Sequence, residues 1–158
     1  SWNGAAMGGG ACIATACDFR VGTPTSFMQY PEIDIGVNLM WKSLPLLINL
    51  IGPSRSKRMV IGGDRIEGEE LHAWGILDKL VSEQELNEET TSLAQKYAKK
   101  APIAAQMIKQ STNNIVNALS SEIMHMDFDQ NLFTAQTRDR STAIKSYLDK
   151  TAPDFEGD

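Results

Sequence analysis

The sequence predicts an α/β domain whose C-terminal part is helical. Short strand patterns bounded by glycine and proline are confined to residues 1–81, whereas helical patterns fill residues 82–150. The chain has 158 residues, of which 42% are hydrophobic and 22% are charged. This composition is sufficient for a buried core, and it excludes disordered and collagen-like proteins.

The front of the chain predicts a glycine turn, a short helix and two strands. Three glycines at 8–10 precede the small, apolar residues 11–16, which predict a buried helix. Residues 18–22 alternate polar and apolar side chains and predict a strand, and residues 26–30 predict a second one. The proline that follows cannot donate a ladder hydrogen bond, so the second strand must end there and leave Glu32 at its rim.

The middle of the chain alternates buried helices with one strand. Residues 40–51 are apolar on most sides and predict a buried helix that a Gly-Pro pair ends. Ser54 is expected to cap the next helix, which runs to a pair of glycines. Residues 66–75 predict a short helix ended by glycine, and residues 76–81 predict a strand.

The C-terminal part predicts helices alone. Ser82 followed by Glu85 is the spacing of a capping box, so a helix is expected to begin there and to end before Pro102. Three further helical segments follow, at residues 103–119, 121–136 and 139–150.

Charge and cysteine usage exclude several classes of function. The net charge is −5, with 15 basic and 20 acidic residues, and the basic residues are scattered, which argues against a nucleic-acid partner. No apolar stretch is long enough to span a membrane, and the first residues lack a signal-peptide pattern, which favours the cytoplasm. Cys12 and Cys17 fit neither a zinc nor a redox spacing, so we expect no metal site and two buried thiols.

The glycine run has two interpretations that its residues leave open. Glycines let a ligand approach the backbone closely, and a helix N-terminus presents N–H groups, so the turn suits an anion or an oxygen that becomes one. A tight turn that serves only strand–helix packing is equally compatible with the three glycines.

The order of several motifs resembles the crotonase superfamily of enoyl-CoA hydratases and isomerases over nearly the whole chain. The motifs are Asn-Gly-x-x-x-Gly-Gly-Gly at 3–10, Cys-Asp-x-Arg at 17–20, Pro-Glu-x-x-x-Gly at 31–36, Gly-Asp-Arg-Ile at 63–66, Gly-Ile-Leu-Asp-Lys-Leu-Val at 75–81 and a closing helix from Asp139 to Lys150. The first of these is the glycine run discussed above.

The resemblance implies a partial ββα superhelix with a helical trimerisation region, forming a homotrimer or hexamer. It implies an acyl-CoA substrate whose thioester oxyanion is bound by two backbone N–H groups. One of them belongs to Gly9, flanked by Gly8 and Gly10 as substrate-binding neighbours. The other lies N-terminal to Ser1, so we expect that the N-terminal half of the domain is missing from this chain.

The acid–base residues implied by the resemblance favour isomerisation. Hydratases of the family hold a water between two glutamates, of which one corresponds to Glu32 and the other to Cys12. A thiol with an ordinary pKa of about 8.5 is a poor substitute for a carboxylate. The second acid of dienoyl-CoA isomerases falls at Met40 and is absent too. The pattern is most similar to enoyl-CoA isomerases with one base, with a hydratase and a non-catalytic scaffold as alternatives.

The resemblance also suggests residues that contact the substrate. Cys12, Met40 and Trp41 are expected to line the acyl pocket, and Tyr147 and Lys150 are expected near the coenzyme A of the same or a neighbouring subunit. The substrate itself carries the coenzyme A, so no separate cofactor is expected. We divide the chain at residue 100 into a spiral core carrying the active-site turn (1–100) and the trimerisation region (101–158). A mitochondrial or peroxisomal location is the alternative to the cytoplasm.

Overall fold

The computed structural model describes residues 1–120 and 126–158. Its first part alternates short strands and helices, in the order β1 (Ala5–Met7), α1 (Gly9–Ala16), β2 (Val21–Gly22), β3 (Phe27–Gln29), a 3₁₀ turn (Pro31–Ile35), α2 (Ser43–Ile61), β4 (Ile66–Glu67), α3 (Gly68–Ala73) and β5 (Lys79–Leu80). Its second part is helical, with α4 (Leu86–Ala98), α5 (Pro102–Asn117), α6 (Met126–Thr134) and α7 (Arg138–Asp149).

Two small sheets lie beside each other in the first part. β1 pairs in parallel with β3, with Ala6 opposite Met28, and β3 pairs antiparallel with β4, with Met28 opposite Ile66. β2 pairs in parallel with β5, and a bridge from Trp2 to Gly22 extends this second sheet. Parallel neighbours need a crossover, and α1 lies in the connection between β1 and β3.

The core lies between these sheets and α1, α2 and α3. Ala11 on α1 is fully buried, because the helix packs closely against α2 and β1 and leaves room only for a small side chain. The largest fully buried apolar side chains are Tyr30, Met28, Leu39, Leu47, Met59, Ile66, Leu71, Ile76 and Leu77. The helix that follows the glycine turn is therefore packed tightly against the core.

Arg20 ties α1 to the loop that precedes β5. Its side chain is buried, and it donates to the backbone oxygens of Ile76 at 2.5 Å and Cys17 at 2.5 Å. The Asp78 carboxylate accepts from the backbone N–H of Arg20 at 2.6 Å and lies 3.9 Å from its guanidinium. The Cys-Asp-x-Arg motif thus has a structural role, because it fixes the C-terminal end of α1.

The order of elements agrees with the sequence, and the differences are local. Ile66 and Glu67 form a strand on β3 before the short helix begins, because the edge of β3 offers them ladder partners. Gly52 breaks α2 at φ 77° and ψ 169°, as the Gly-Pro pair predicts, but the capping prediction for Ser54 is wrong. Pro53 takes the first position of the second segment, so Ser54 already lies inside the helix.

The helices of the C-terminal part agree with the helical segments predicted from the sequence. Ser82 and Glu85 make the reciprocal contacts of a capping box, at 3.3 and 3.4 Å, one turn before the helix proper begins. No residue of α5 is buried. The expected helix at 121–136 is seen as α6, while residues 121–125, including His125, lie outside the described residues. The division at residue 100 stays a prediction.

No helix in the described ranges is both long and apolar enough to cross a membrane.

Candidate active site

The glycine turn presents backbone N–H groups at the start of α1. Gly8 has φ 49° and ψ −116°, a conformation that side chains rarely adopt, and its N–H donates to Gln29 O at 3.0 Å. Gly9 and Gly10 are the first two residues of the eight-residue helix. Because the first N–H groups of a helix have no acceptor within it, they are available to a ligand oxygen that approaches the N-terminal end of α1.

The Glu32 carboxyl lies against this turn. The strand β3 ends at Gln29, and the 3₁₀ turn that begins at Pro31 carries Glu32 back toward the glycines. Its Oε1 lies 2.7 Å from the point that a Cβ on Gly8 would occupy, so a side chain at residue 8 would displace the carboxyl. Glycine is required here for its small size as well as for its backbone conformation.

Glu32 is desolvated and takes part in no ion pair among the described residues. Burial raises the pKa of its carboxyl, and its own backbone N–H only partly offsets that rise. Its Oε2 is buried without a hydrogen-bond partner. A carboxylate that is desolvated and unpaired is ready to accept a proton.

Cys12 lies one turn into α1 and is buried. Its thiol pKa is raised first by burial, and the negative charges of Glu32 and Asp127 raise it further, while the neighbouring Ser43 hydroxyl lowers it. The thiol is therefore neutral at pH 7 and acts as a small apolar group. The prediction that Cys17 is buried is wrong, because this residue is the C-cap of α1 and is exposed.

Trp41 lies over Gly9. Its ring carbons Cζ2 and Cε2 lie 3.8 and 3.9 Å from the point that a Cβ on Gly9 would occupy. Trp41 has φ 77° and Lys42 has φ 56°, so two consecutive non-glycine residues adopt the left-handed conformation. The Trp41 side chain is 68% exposed, and that of Met40 is 36% exposed, so both border the open side of the turn.

Glu32 also lines a cavity of about 560 Å³, to which the glycine turn does not contribute. It lies between the segment that follows Glu32, the end of α2, and the helices α6 and α7. Its apolar lining consists of Ile33, Val37, Leu39, Val60, Ile61, Phe133 and Phe155. These residues were not among the predicted site residues, because they come from four separate stretches that no local pattern connects.

The structure brings together only some of the predicted site residues. Glu32, Cys12, Trp41 and the three glycines surround one turn, whereas Tyr147 and Lys150 line neither this turn nor the cavity. Both lie at the end of α7, where the Tyr147 side chain is 69% exposed and Lys150 is the C-cap at φ 55°. No group of three or more candidate metal ligands occurs in the ranges 1–120 and 126–158.

The arrangement combines one carboxyl and a set of backbone donors around one space. A carboxylate with a raised pKa can remove a proton from carbon, and an N–H donor can stabilise the oxyanion that results. The cavity beside Glu32 adds a mainly apolar surface to that space. Proton transfer beside a carbonyl group is the chemistry that this geometry can perform.

Comparisons with known proteins match the chain to one protein family. The family model described as enoyl-CoA hydratase/isomerase matches residues 1–158. The chain is 26% identical over 153 residues to crotonyl-CoA hydratase of Syntrophomonas wolfei, covering 97% of this chain and 59% of that protein. It is 30% identical over 158 residues to 2,3-dehydroadipyl-CoA hydratase of Escherichia coli, covering 98% of this chain and 61% of that protein.

A solved structure shows the same fold. An enoyl-CoA hydratase from Mycobacterium avium subsp. paratuberculosis superposes with a TM-score of 0.88 at 20% identity, covering 98% of this chain and 63% of that one. The likeness confirms the predicted crotonase-like α/β fold. The chain spans about three fifths of the length of these relatives. The two proteins matched by sequence are both named hydratases. Their names do not support the isomerase activity that the sequence pattern favours.

Proposed function

We propose, since this chain belongs to the enoyl-CoA hydratase/isomerase family, that it moves the double bond of an enoyl-CoA thioester with Glu32 as the base and Gly9 as an oxyanion donor. The observation that carries the proposal is the contact between the Glu32 carboxyl and the glycine turn. This contact supports the proposal because it brings a carboxyl group close to the N-terminal end of α1.

The proposed reaction needs one carboxylate and no water. The Glu32 carboxylate removes a proton from the carbon next to the thioester carbonyl of a 3-enoyl-CoA, and the electron pair moves onto the carbonyl oxygen. The Gly9 N–H stabilises that enolate oxygen. The electron pair then returns, the double bond shifts to the 2-position, and the protonated Glu32 gives its proton to the fourth carbon of the chain.

Isomerisation is preferred over hydration because the site holds a neutral thiol at Cys12. Hydration needs a group that holds the water and gives or takes its proton, and a buried thiol with a raised pKa does this poorly. The cavity beside Glu32 is lined mainly by apolar side chains, which suits an acyl chain. A 1,3-proton shift also needs no bound water.

Hydration of a 2-enoyl-CoA is the second candidate, and the names of the relatives favour it. In that reaction Glu32 alone would activate a water held by backbone groups. We further propose a homotrimer or hexamer, no cofactor other than the coenzyme A that the substrate carries, and a cytoplasmic location. Tyr147 and Lys150 are proposed to lie near that coenzyme A in the assembly.

One assay separates the candidates. The complete protein is incubated with a 3-enoyl-CoA and, separately, with a 2-enoyl-CoA, and the absorbance of the conjugated 2-enoyl thioester is followed. A gain from the first substrate supports isomerisation, and a loss from the second supports hydration. A protein that changes neither would instead be a non-catalytic scaffold, and the proposal would fail.

The base is tested by Glu32→Gln, which keeps the size of the side chain. We expect kcat/KM to fall by about 10²- to 10⁴-fold, the usual contribution of a general base. Asp34→Asn is the matched control, since Asp34 lies in the same 3₁₀ turn and lines no part of the cavity. Activity that survives in the Glu32 variant would show that another group is the base.

A further inference from the structure

One face of α6 is polar and lies against the segment that follows Glu32. Asp127, Gln130, Asn131 and Thr134 are spaced by three or four residues, so they share one side of the helix. Phe128 and Phe133, by contrast, are 54% and 74% exposed. The helix thus turns polar side chains toward the domain, which indicates that they have a specific partner there.

The partner of this face is Asn38, and both of its backbone polar groups are bound. The Asn131 side chain donates to Asn38 O at 2.6 Å, and the Asn38 N–H donates to the Thr134 hydroxyl at 3.0 Å. The Asn38 side chain also donates to the Gln130 side chain at 2.8 Å. Three hydrogen bonds to one residue hold the start of segment 38–43 against α6.

The far end of segment 38–43 meets the same face of α6. Asp127 is 6% exposed, and the backbone N–H groups of Lys42 and Ser43 lie near its carboxyl group. The Oδ2 atom of that carboxyl has no hydrogen-bond partner. The Ser43 hydroxyl donates back to Met40 O at 3.4 Å. Both ends of the segment are therefore held by α6.

Trp41 lies between these two attachments, and both it and the attached Lys42 are left-handed. A left-handed conformation is unfavourable for residues with a Cβ, and it persists only where the surroundings enforce it. Its result is that the indole ring lies over Gly9. The polar contacts with α6 hold both ends of the segment that adopts this conformation.

We propose that Asn131 and Thr134 are positioning residues that hold Trp41 beside the α-carbon of Gly9, and that Trp41 so placed limits the size of the acyl group that the site accepts. This rests on the proposed function, because it assigns the acyl-CoA specificity to that same site. In this proposal the Trp41 side chain occupies space that a larger acyl group would need, and the contacts with α6 keep that side chain in place.

A double-mutant cycle tests the coupling between α6 and Trp41 in the complete protein. Trp41→Gly is expected to raise kcat/KM for long or branched acyl-CoA relative to a four-carbon substrate. Asn131→Ala should shift this preference in the same direction by about fivefold, the size of one lost hydrogen bond. In the Trp41→Gly background, Asn131→Ala should change the preference no further. An undiminished effect there would overturn the proposal, since Asn131 would then act independently of Trp41.

A second variant pair guards against general destabilisation. Thr134→Ser keeps the hydroxyl that accepts from Asn38, and it should retain the original chain-length preference, whereas the nearly isosteric Thr134→Val should lose it. Asp129→Ala is the control on the exposed side of α6. A Thr134→Val protein with an unchanged preference would contradict the role of this contact.

Hydrogen exchange gives a readout that does not depend on turnover. Asn131→Ala should speed amide exchange in peptides covering residues 8–12 and 38–43, whereas Asp129→Ala should not. If exchange increases but no acyl-CoA reaction is found, the positioning role stands and the proposed function fails. If exchange at 8–12 is unchanged, Trp41 is not held over Gly9 by α6, and the inference fails whatever the activity.

Discussion

The carboxyl of Glu32 lies against the α-carbon of Gly8, with Oε1 2.7 Å from the position that a Cβ would take. The contact joins the turn that presents N–H groups to the turn that carries the proposed base. Gly8 also has φ 49°, so both its backbone conformation and the close Glu32 carboxyl favour glycine at this position.

Gly8→Ala is expected to lower activity far more than stability. The methyl group would push the flexible carboxyl end of Glu32 away, and the backbone strain would cost about 1–2 kcal/mol. We expect kcat/KM to fall by about 100-fold or more, since a displacement of 1 Å at a reacting group has an effect of that size. Enzyme kinetics and urea denaturation measure the two effects.

Gly75→Ala is the matched control for this prediction. Gly75 has φ 81°, but a Cβ there would have no atom within 4 Å. Its variant should show a similar loss of stability with kcat/KM unchanged. An equal loss of activity in both variants would show that backbone strain, not the carboxyl contact, limits the enzyme.

The pH dependence of kcat/KM should reveal the desolvated state of Glu32. Burial raises its pKa above the ordinary 4.5, and the base must be ionised to accept a proton. The rate should therefore rise with pH through a midpoint above 4.5 and level off beyond it. The Glu32→Asp variant, whose shorter side chain withdraws from Gly8, should have a lower plateau. A midpoint at or below 4.5 in the parent protein would contradict a buried base.

The local parts of this site were predictable from the sequence. Pro31 ends β3 because it lacks a ladder donor, and this alone places Glu32 at the rim of the sheet. The three glycines before a small apolar run likewise predict the N–H turn. Each inference uses residues that are neighbours in the chain, and each is confirmed in the fold, while the roles of Glu32 and Gly9 in catalysis stay predictions.

The parts that the sequence did not predict are those built across long chain separations. The hydrogen bond from Asn131 to Asn38 joins residues 93 positions apart, and the one from Arg20 to Ile76 joins residues 56 positions apart. Helical periodicity predicted a helix over residues 121–136, but it did not predict what the polar side of α6 contacts. Burial of Cys12 followed from its small apolar neighbours, whereas exposure of Cys17 depends on where α1 ends.

Arg20→Lys should destabilise the fold by about 2–4 kcal/mol. An ammonium group cannot reproduce the fork with which the guanidinium reaches Ile76 O and Cys17 O, so at least one buried carbonyl would lose its donor. Urea denaturation of both proteins measures the difference. Arg55→Lys, at an exposed position 5.1 Å from the Trp74 ring, should cost no more than about 1 kcal/mol. Similar losses for the two variants would contradict the structural role of Arg20.

Thiol labelling tests whether Cys12 is the neutral, apolar group that the preference for isomerisation requires. Cys12 is buried with a raised pKa, while Cys17 is exposed. Because the thiolate is the reactive form, iodoacetamide at pH 7 should modify Cys17 in the native protein and both cysteines in urea. A Cys17→Ser protein should resist the reagent and keep its activity after treatment, which mass spectrometry and the enoyl-CoA assay would follow together. Rapid modification of Cys12 in that variant would mean that the thiol ionises beside Glu32. It could then serve as a second acid–base group, and the argument against hydration would lose its basis.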